Sequence, residues 1–181
     1  MLKKFIPDYY FKSIYEIPLS KLYDDGVRLI LTDLDNTLIS YLEKLPNENL
    51  IKWKNEVINK GFELIIVSNS KKERVENFSK ALGVDCVKFS TKPLKRGIKK
   101  AINKISKNKY NNNQIIILGD QLMTDILGGN RCKINTCLIK AIDKSSDSFP
   151  TRCNRKLENF IKNKIKKKYP EEYNLKLKEL D

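Results

Sequence analysis

Apolar positions along the chain follow two rhythms. Short, nearly continuous apolar runs at 27–31, 62–67, 84–89, 114–118 and 136–139 have the length and β-branched content of strands buried on both faces. Between them the apolar residues recur at helical spacing. Leu50, Trp53, Val57 and Ile58 form one stripe before Gly61, and Val75, Phe78, Ala81 and Leu82 form another before Gly83. Leu94, Ile98, Ala101, Ile102 and Ile105 form a third. This alternation predicts an α/β fold, a parallel sheet with crossover helices on both faces. The polar 108–113 stretch predicts a surface loop. With 181 residues, no internal repeat and no Pro/Gly-rich linker, a single domain over 1–181 is expected.

Composition narrows the chemistry. The chain has no histidine, which removes every mechanism built on an imidazole base and makes a zinc site improbable. Cys86, Cys132, Cys137 and Cys153 form no C-x-x-C pair and read as reduced thiols. Asp8, Lys12 and Glu16 interrupt the apolar stretch that an export signal would need, and no apolar run approaches the ~18 residues of a membrane span. A cytoplasmic location is therefore expected. The net charge of +14 invites an anionic partner: a phosphorylated substrate, an acidic membrane or nucleic acid. Lysine outnumbers arginine 30 to 6, so compositional bias is the competing explanation, and the clustering of charge is what matters.

Four polar elements each follow a predicted strand, where ligands of parallel α/β sheets bind. The first is Asp33-Leu34-Asp35-Asn36-Thr37. Two aspartates two residues apart point the same way in extended chain, and in an apolar site they repel unless a cation intervenes. Mg²⁺, a hard ion taking oxygen ligands, suits them. Asp33 can then attack phosphorus, while Asp35 protonates the leaving oxygen and later activates water. A solvated Asp-rich turn is the plain alternative. The second element is Ser68-Asn69, whose side chains can donate to phosphoryl oxygens, though such residues are also ordinary turn formers. The third is Lys92-Pro93 at the mouth of the helix containing Ile98, where a lysine can neutralise phosphate and keep a nucleophilic carboxylate ionised. The fourth is Gly119-Asp120 with Asp125: Asp120 can complete a metal shell, and Asp125 can orient Lys92 or a metal-bound water.

In this order the four elements resemble the haloacid dehalogenase superfamily of phosphatases. The resemblance implies a Rossmann-like parallel sheet without a cap domain, with Asp33 as nucleophile and Asp35 as general acid/base. It further implies that Thr37, Ser68 and Lys92 hold the phosphoryl group. Asp33, the main-chain carbonyl of Asp35, and Asp120 would bind Mg²⁺. The opening Met1-Leu2-Lys3-Lys4-Phe5-Ile6-Pro7-Asp8, the segment from Gly119 through Gly128-Gly129-Asn130-Arg131, and Thr151-Arg152 with Asn154-Arg155-Lys156 resemble the YqeG-type, subclass IIIA group. That group is similar to phosphatidylglycerophosphate phosphatases. Lys133 departs from the pattern, standing where a glycine is expected.

Spacing bears on the substrate. Neither the 33–68 interval nor the 68–92 interval is long enough for a lid domain, so an open site is expected. The 152–168 segment carries eight basic residues against Glu158, with Leu157, Phe160, Ile161 and Ile165 at helical spacing. It predicts a basic amphipathic helix that either lies on an anionic membrane or packs on the sheet with its lysines solvated. Residues 169–181 are expected to be a flexible tail. Phe5, Tyr9, Tyr10, Phe11 and Tyr15 leave the same choice between core and membrane interface. The expected activity is hydrolysis of phosphatidylglycerophosphate at the inner face of the membrane. Nucleotide, nucleic-acid-end or sugar phosphates are the alternative substrates, and a non-catalytic RNA- or ribosome-binding module is the alternative role.

Overall fold

The computed structural model describes residues 2–105, 110–145 and 147–180. Six strands form one parallel sheet: β1 (Tyr9–Phe11), β2 (Leu29–Thr32), β3 (Glu63–Val67), β4 (Asp85–Val87), β5 (Ile115–Gly119) and β6 (Asn135–Ile139). Their order across the sheet is β1-β6-β5-β2-β3-β4. The chain steps from β2 to β3 and β4, then crosses to the other side of β2 for β5 and β6. The order therefore reverses at β2, and a crevice forms beyond its carboxyl end.

Side chains alternate across each strand, so the runs are apolar on both faces. Ile30, Ile66, Ile116 and Leu118 face α1 (Leu19–Asp24), α2 (Glu48–Asn59) and α3 (Lys72–Leu82) in one core that also holds Trp53 and Phe78. Leu29, Leu31, Ile65 and Ile117 face the other way, against Ile98 and Ala101 of α4 (Lys95–Lys104). The short helix α5 (Leu127–Cys132) lies so close to the sheet that a Cβ on Gly129 would sit 2.5 Å from both Ile117 Cγ2 and Thr136 Cγ2.

Several sequence expectations need correction. The expected 84–89 strand ends at Val87, because Phe89 turns to positive φ and lies exposed. A turn closed by Leu94 N–H to the Thr91 carbonyl delays α4 until Lys95, so Pro93 precedes the helix and Leu94 leaves the core stripe. Of the expected 108–113 loop, positions 108 and 109 lie outside the described residues, and Asn112–Gln114 makes a 3-10 turn. β1 was not expected at all. It joins the edge of β6, anchored by Asp8, whose carboxylate accepts from the Thr136 N–H and hydroxyl.

The C-terminal segment is also different. It forms α6 (Phe149–Lys168) and α7 (Pro170–Lys176), followed by a 3-10 turn at Lys178–Leu180, so the described part of the expected 169–181 tail is folded. Tyr173 and Leu177, four residues apart, bury themselves with Ile161, Ile165, Leu122 and Leu138 in a third core. Phe5 and Tyr10 pack against this core, and Tyr9 and Phe11 against the first one; Tyr15 remains exposed. The apolar stripe expected on α6 splits between two faces. Ile161 and Ile165 point inward, whereas Leu157 and Phe160 point to solvent.

Helix ends explain the glycine expectations. Gly83 closes α3 in the left-handed conformation, which costs glycine little. Lys133 closes α5 in the same conformation, at φ 61° and ψ 35°. The turn is thus kept without its usual residue. Lys133→Gly is expected to stabilise the protein by about 0.5–1 kcal/mol, the left-handed strain relieved less the extra entropy of an unfolded glycine. Urea unfolding with an unchanged slope and a higher midpoint would show it; a lower midpoint would contradict it.

Candidate active site

β2 delivers Asp33 to the crevice: its N–H donates to the Leu118 carbonyl, extending the ladder one step past the strand. β3 delivers Ser68 and Asn69, the turn after β4 delivers Lys92, and β5 delivers Asp120. A π-helix at Leu122–Ile126 then brings Asp125 back over the strand end. Gly119 has a role beyond turning the chain. A Cβ there would sit 2.1 Å from Asp125 Cγ, so glycine makes the room that Asp125 occupies.

Lys92 is the hub. Its Nζ donates to Asp33 Oδ1 at 2.7 Å and pairs with Asp125 Oδ1 at 2.6 Å, with almost no solvent contact. Burial opposes its charge, but Asp125 and Asp33 outweigh burial and hold its pKa above the ordinary lysine value. Asp125 is fixed from behind by the Thr124 hydroxyl and the Gln121 N–H. Burial pushes the Asp33 carboxyl up to about 8, against the pull of Lys92, with Asp125, Asp120 and Asp35 adding to the rise. Burial likewise raises Asp120 to about 7, with Arg155 pulling it down.

The other expected residues converge on the same place in unequal roles. Ser68 is buried and lines the cavity. Asn69 lines it too, but its amide is committed elsewhere: Oδ1 accepts from the Ser90 hydroxyl and the Lys92 N–H, and Nδ2 donates to the Lys92 carbonyl. Asn69 therefore fixes the peptide that carries Lys92. Thr37 turns its hydroxyl toward Asp120 at 3.5 Å and does not line the cavity. The Asp35 carboxylate is oriented by the Ser70 hydroxyl and by Arg74, whose Nε donates at 2.7 Å. Arg74 also holds the carbonyls of Ser40 and Glu43, tying the loop after the first motif to α3.

Three participants were not expected from the sequence: Arg74, Asp147 and Arg155. Arg155 Nη2 donates to Asp120 Oδ2 at 2.6 Å, and its Nε donates to Asp147 Oδ2 at 2.5 Å. Asp147 Oδ1 in turn accepts from Asn36 Nδ2. Arg155 stands in the Asn154-Arg155-Lys156 segment that carries the family resemblance, and a second signal was the scarcity of arginine. Arg28, Arg74, Arg131 and Arg155 each bond a backbone carbonyl or a carboxylate with a planar fork, a task lysine performs poorly.

The donor set fits a hard divalent cation. One carboxylate oxygen each from Asp33, Asp120 and Asp125 lies within 4.8 Å of the other two, and all three residues are buried. With every acid ionised, five carboxylates (Asp33, Asp35, Asp120, Asp125 and Asp147) face three cations (Arg74, Lys92 and Arg155). An excess of two negative charges remains, which one divalent ion cancels. The set differs from the expected one in bringing in Asp125 as a third side-chain oxygen. Above it opens a cavity of about 300 Å³, bounded by Tyr41, Lys71, Ser148, Pro150, Thr151 and Asn154.

Known proteins resemble this chain over most of its length. The family described as mitochondrial PGP phosphatase matches residues 2–142. The probable phosphatase YqeG of Bacillus subtilis (strain 168) is 38% identical over 169 residues, covering 93% of this chain and 96% of that protein. An uncharacterized protein from Listeria monocytogenes serotype 4b shares the fold, with a TM-score of 0.51 at 14% identity over 76% of this chain and 99% of that one. The putative HAD-hydrolase YfnB from Bacillus subtilis, solved bound to magnesium, aligns at 15% identity with a TM-score of 0.46 over 62% of this chain and 86% of that one. With its four motif elements gathered around one crevice, the chain is a phosphatase and belongs to the mitochondrial PGP phosphatase family.

Proposed function

We propose that the chain is a Mg²⁺-dependent phosphomonoester hydrolase that forms an aspartyl-phosphate on Asp33 and releases phosphate from phosphatidylglycerophosphate. The observation that carries this reading is Asp33 itself, at the floor of an open cavity with Lys92 Nζ 2.7 Å from one oxygen. A carboxylate oxygen of Asp33 attacks phosphorus and the ester P–O bond breaks. Asp35, oriented by Ser70 and Arg74, acts as the general acid that passes a proton to the leaving oxygen. In the second step Asp35 takes a proton from water, which attacks the same phosphorus and regenerates Asp33. Lys92 and the Ser68 side of the cavity offset the charge on the phosphoryl oxygens. Asp33, Asp120 and Asp125 would hold Mg²⁺, which supplies charge stabilisation to the transferring phosphoryl group.

Two features favour a lipid as the phosphate donor. Between the first and third motifs the chain forms only α2, β3, α3 and β4 with their loops, so no inserted domain covers the cavity. The outward face of α6 carries Phe149, Leu157 and Phe160, exposed by 72%, 45% and 55%, among Arg152, Lys156 and Lys164. Apolar and basic groups on one helix face suit the headgroup region of an anionic bilayer, where each basic residue contributes ~1 kcal/mol. Ser148, Pro150 and Thr151 at the start of this helix also border the cavity, so docking α6 brings the site to the lipid surface. Among the described residues, no helix is long and apolar enough to cross the membrane.

The test offers the purified chain phosphatidylglycerophosphate in anionic vesicles, soluble phosphate esters and phosphorylated oligonucleotides, with Mg²⁺ and with a chelator. Phosphate release from vesicles that stops on chelation is expected. Release only from soluble esters or oligonucleotides would remove the lipid reading. No release from any substrate would remove the enzymatic one.

A further inference from the structure

Residues 120–123, which follow β5 and include Asp120, are held by one face of α6. Asn154 Nδ2 donates to Gln121 Oε1 at 3.4 Å, and Glu158 accepts from the Met123 N–H at 3.0 Å. Between these two contacts Arg155 reaches Asp120. Its side chain is 15% exposed and that of Asp120 is fully buried. The family model matches residues 2–142, whereas the match to YqeG, over 93% of this chain, takes in α6.

We propose that Arg155 is a positioning residue for the cation site, and that α6 thereby forms part of the catalytic centre. The proposal rests on reading Asp33, Asp120 and Asp125 as the ligands of a divalent ion. The two oxygens of Asp120 have different partners. Arg155 occupies Oδ2, while among the described residues Oδ1 has only a long contact with the Thr37 hydroxyl. Fixing one oxygen sets the rotation of the carboxylate and aims the other. Arg155 is itself fixed, because its Nε is bonded to Asp147, and Asp147 is bonded to Asn36 of the nucleophile loop. The chain of contacts Asn36–Asp147–Arg155–Asp120 therefore joins the first and fourth motifs, running from the cavity lining at Asn36 and Asp147 to buried Asp120. A guanidinium fork can span both acids, whereas a lysine ammonium meets one at a time.

The experiment is calorimetric titration of the full chain with Mg²⁺, on wild type, Arg155→Gln, Arg155→Lys and Asp147→Asn. Loss of an outer partner of a metal ligand commonly weakens metal binding by 10–100-fold, and about that loss is expected for Arg155→Gln. Arg155→Lys and Asp147→Asn should fall between it and wild type. At saturating Mg²⁺ the KM for the phosphate ester should be unchanged in Arg155→Gln and Arg155→Lys, since Arg155 does not line the substrate cavity. Mg²⁺ affinity of folded Arg155→Gln within about twofold of wild type, or tighter, would overturn the proposal. If that variant does not fold, unchanged affinity in Arg155→Lys overturns it instead. Wild type that hydrolyses phosphate esters but binds no Mg²⁺ would overturn the cation site itself, a different failure from an Arg155 that does not matter.

Discussion

Replacing Asp33 by asparagine is expected to lower phosphate release by about 10⁴-fold or more while leaving the fold intact, because the amide cannot form the acyl phosphate. The retained fold follows from the local electrostatics. Asp33 shares a buried site with Asp120 and Asp125, and burial already disfavours its charge. An amide of the same shape removes that repulsion, and Lys92 keeps its ion pair with Asp125. Thermal unfolding of Asp33→Asn should therefore match or exceed wild type in the sample that has lost activity. A rate within about tenfold of wild type would remove Asp33 as the nucleophile.

Lys92→Met is expected to act through stability as well as catalysis. Methionine preserves most of the length but leaves Asp33 and Asp125 without their shared countercharge. Breaking a buried pair on one side typically costs about 3–5 kcal/mol, which for a chain of this size lowers Tm by roughly 10 °C. The double variant Lys92→Met/Asp125→Asn should recover part of that loss, since it removes one of the stranded charges. No recovery would show that the lost packing, rather than the lost charge, carries the effect.

The elements most legible in the sequence were those whose residues serve one purpose. The strands that became β2, β3 and β5 are buried on both faces, so their composition alone marks them. β1 could not be read in this way. Its three residues are only half buried, and the strand exists because β6 offers an open edge and Asp8 latches to Thr136. α7 carries a readable pair in Tyr173 and Leu177, but the surrounding charges hide it until α6 and the N-terminal turn supply something to bury it against.

The site divides along the same line. Asp33, Ser68 and Asp120 directly follow strands, where position in the sheet decides position in the crevice, and with Lys92 in the turn after β4 they were identifiable one by one. Asp125 was identified beside them as a support, and the structure adds its place among the three clustered carboxylates. Thr37 and Asn69 were also picked out, yet the directions of their side chains depend on partners far along the chain. Arg74, Asp147 and Arg155 are defined by such partners, between 8 and 111 residues away, and no local hydrophobic or turn pattern announces a contact of that kind.

The missing cover over the cavity has a further consequence. An enzyme that closes around its substrate can reject a molecule by failing to close on it. Here no inserted domain lies between the first and third motifs, so the carrier of a phosphate ester meets the rim of Tyr41, Lys71, Pro150 and Thr151. Discrimination becomes a matter of approach. What the carrier is attached to, and the angle at which that surface lets the phosphate enter, decides more than the shape of the group that leaves.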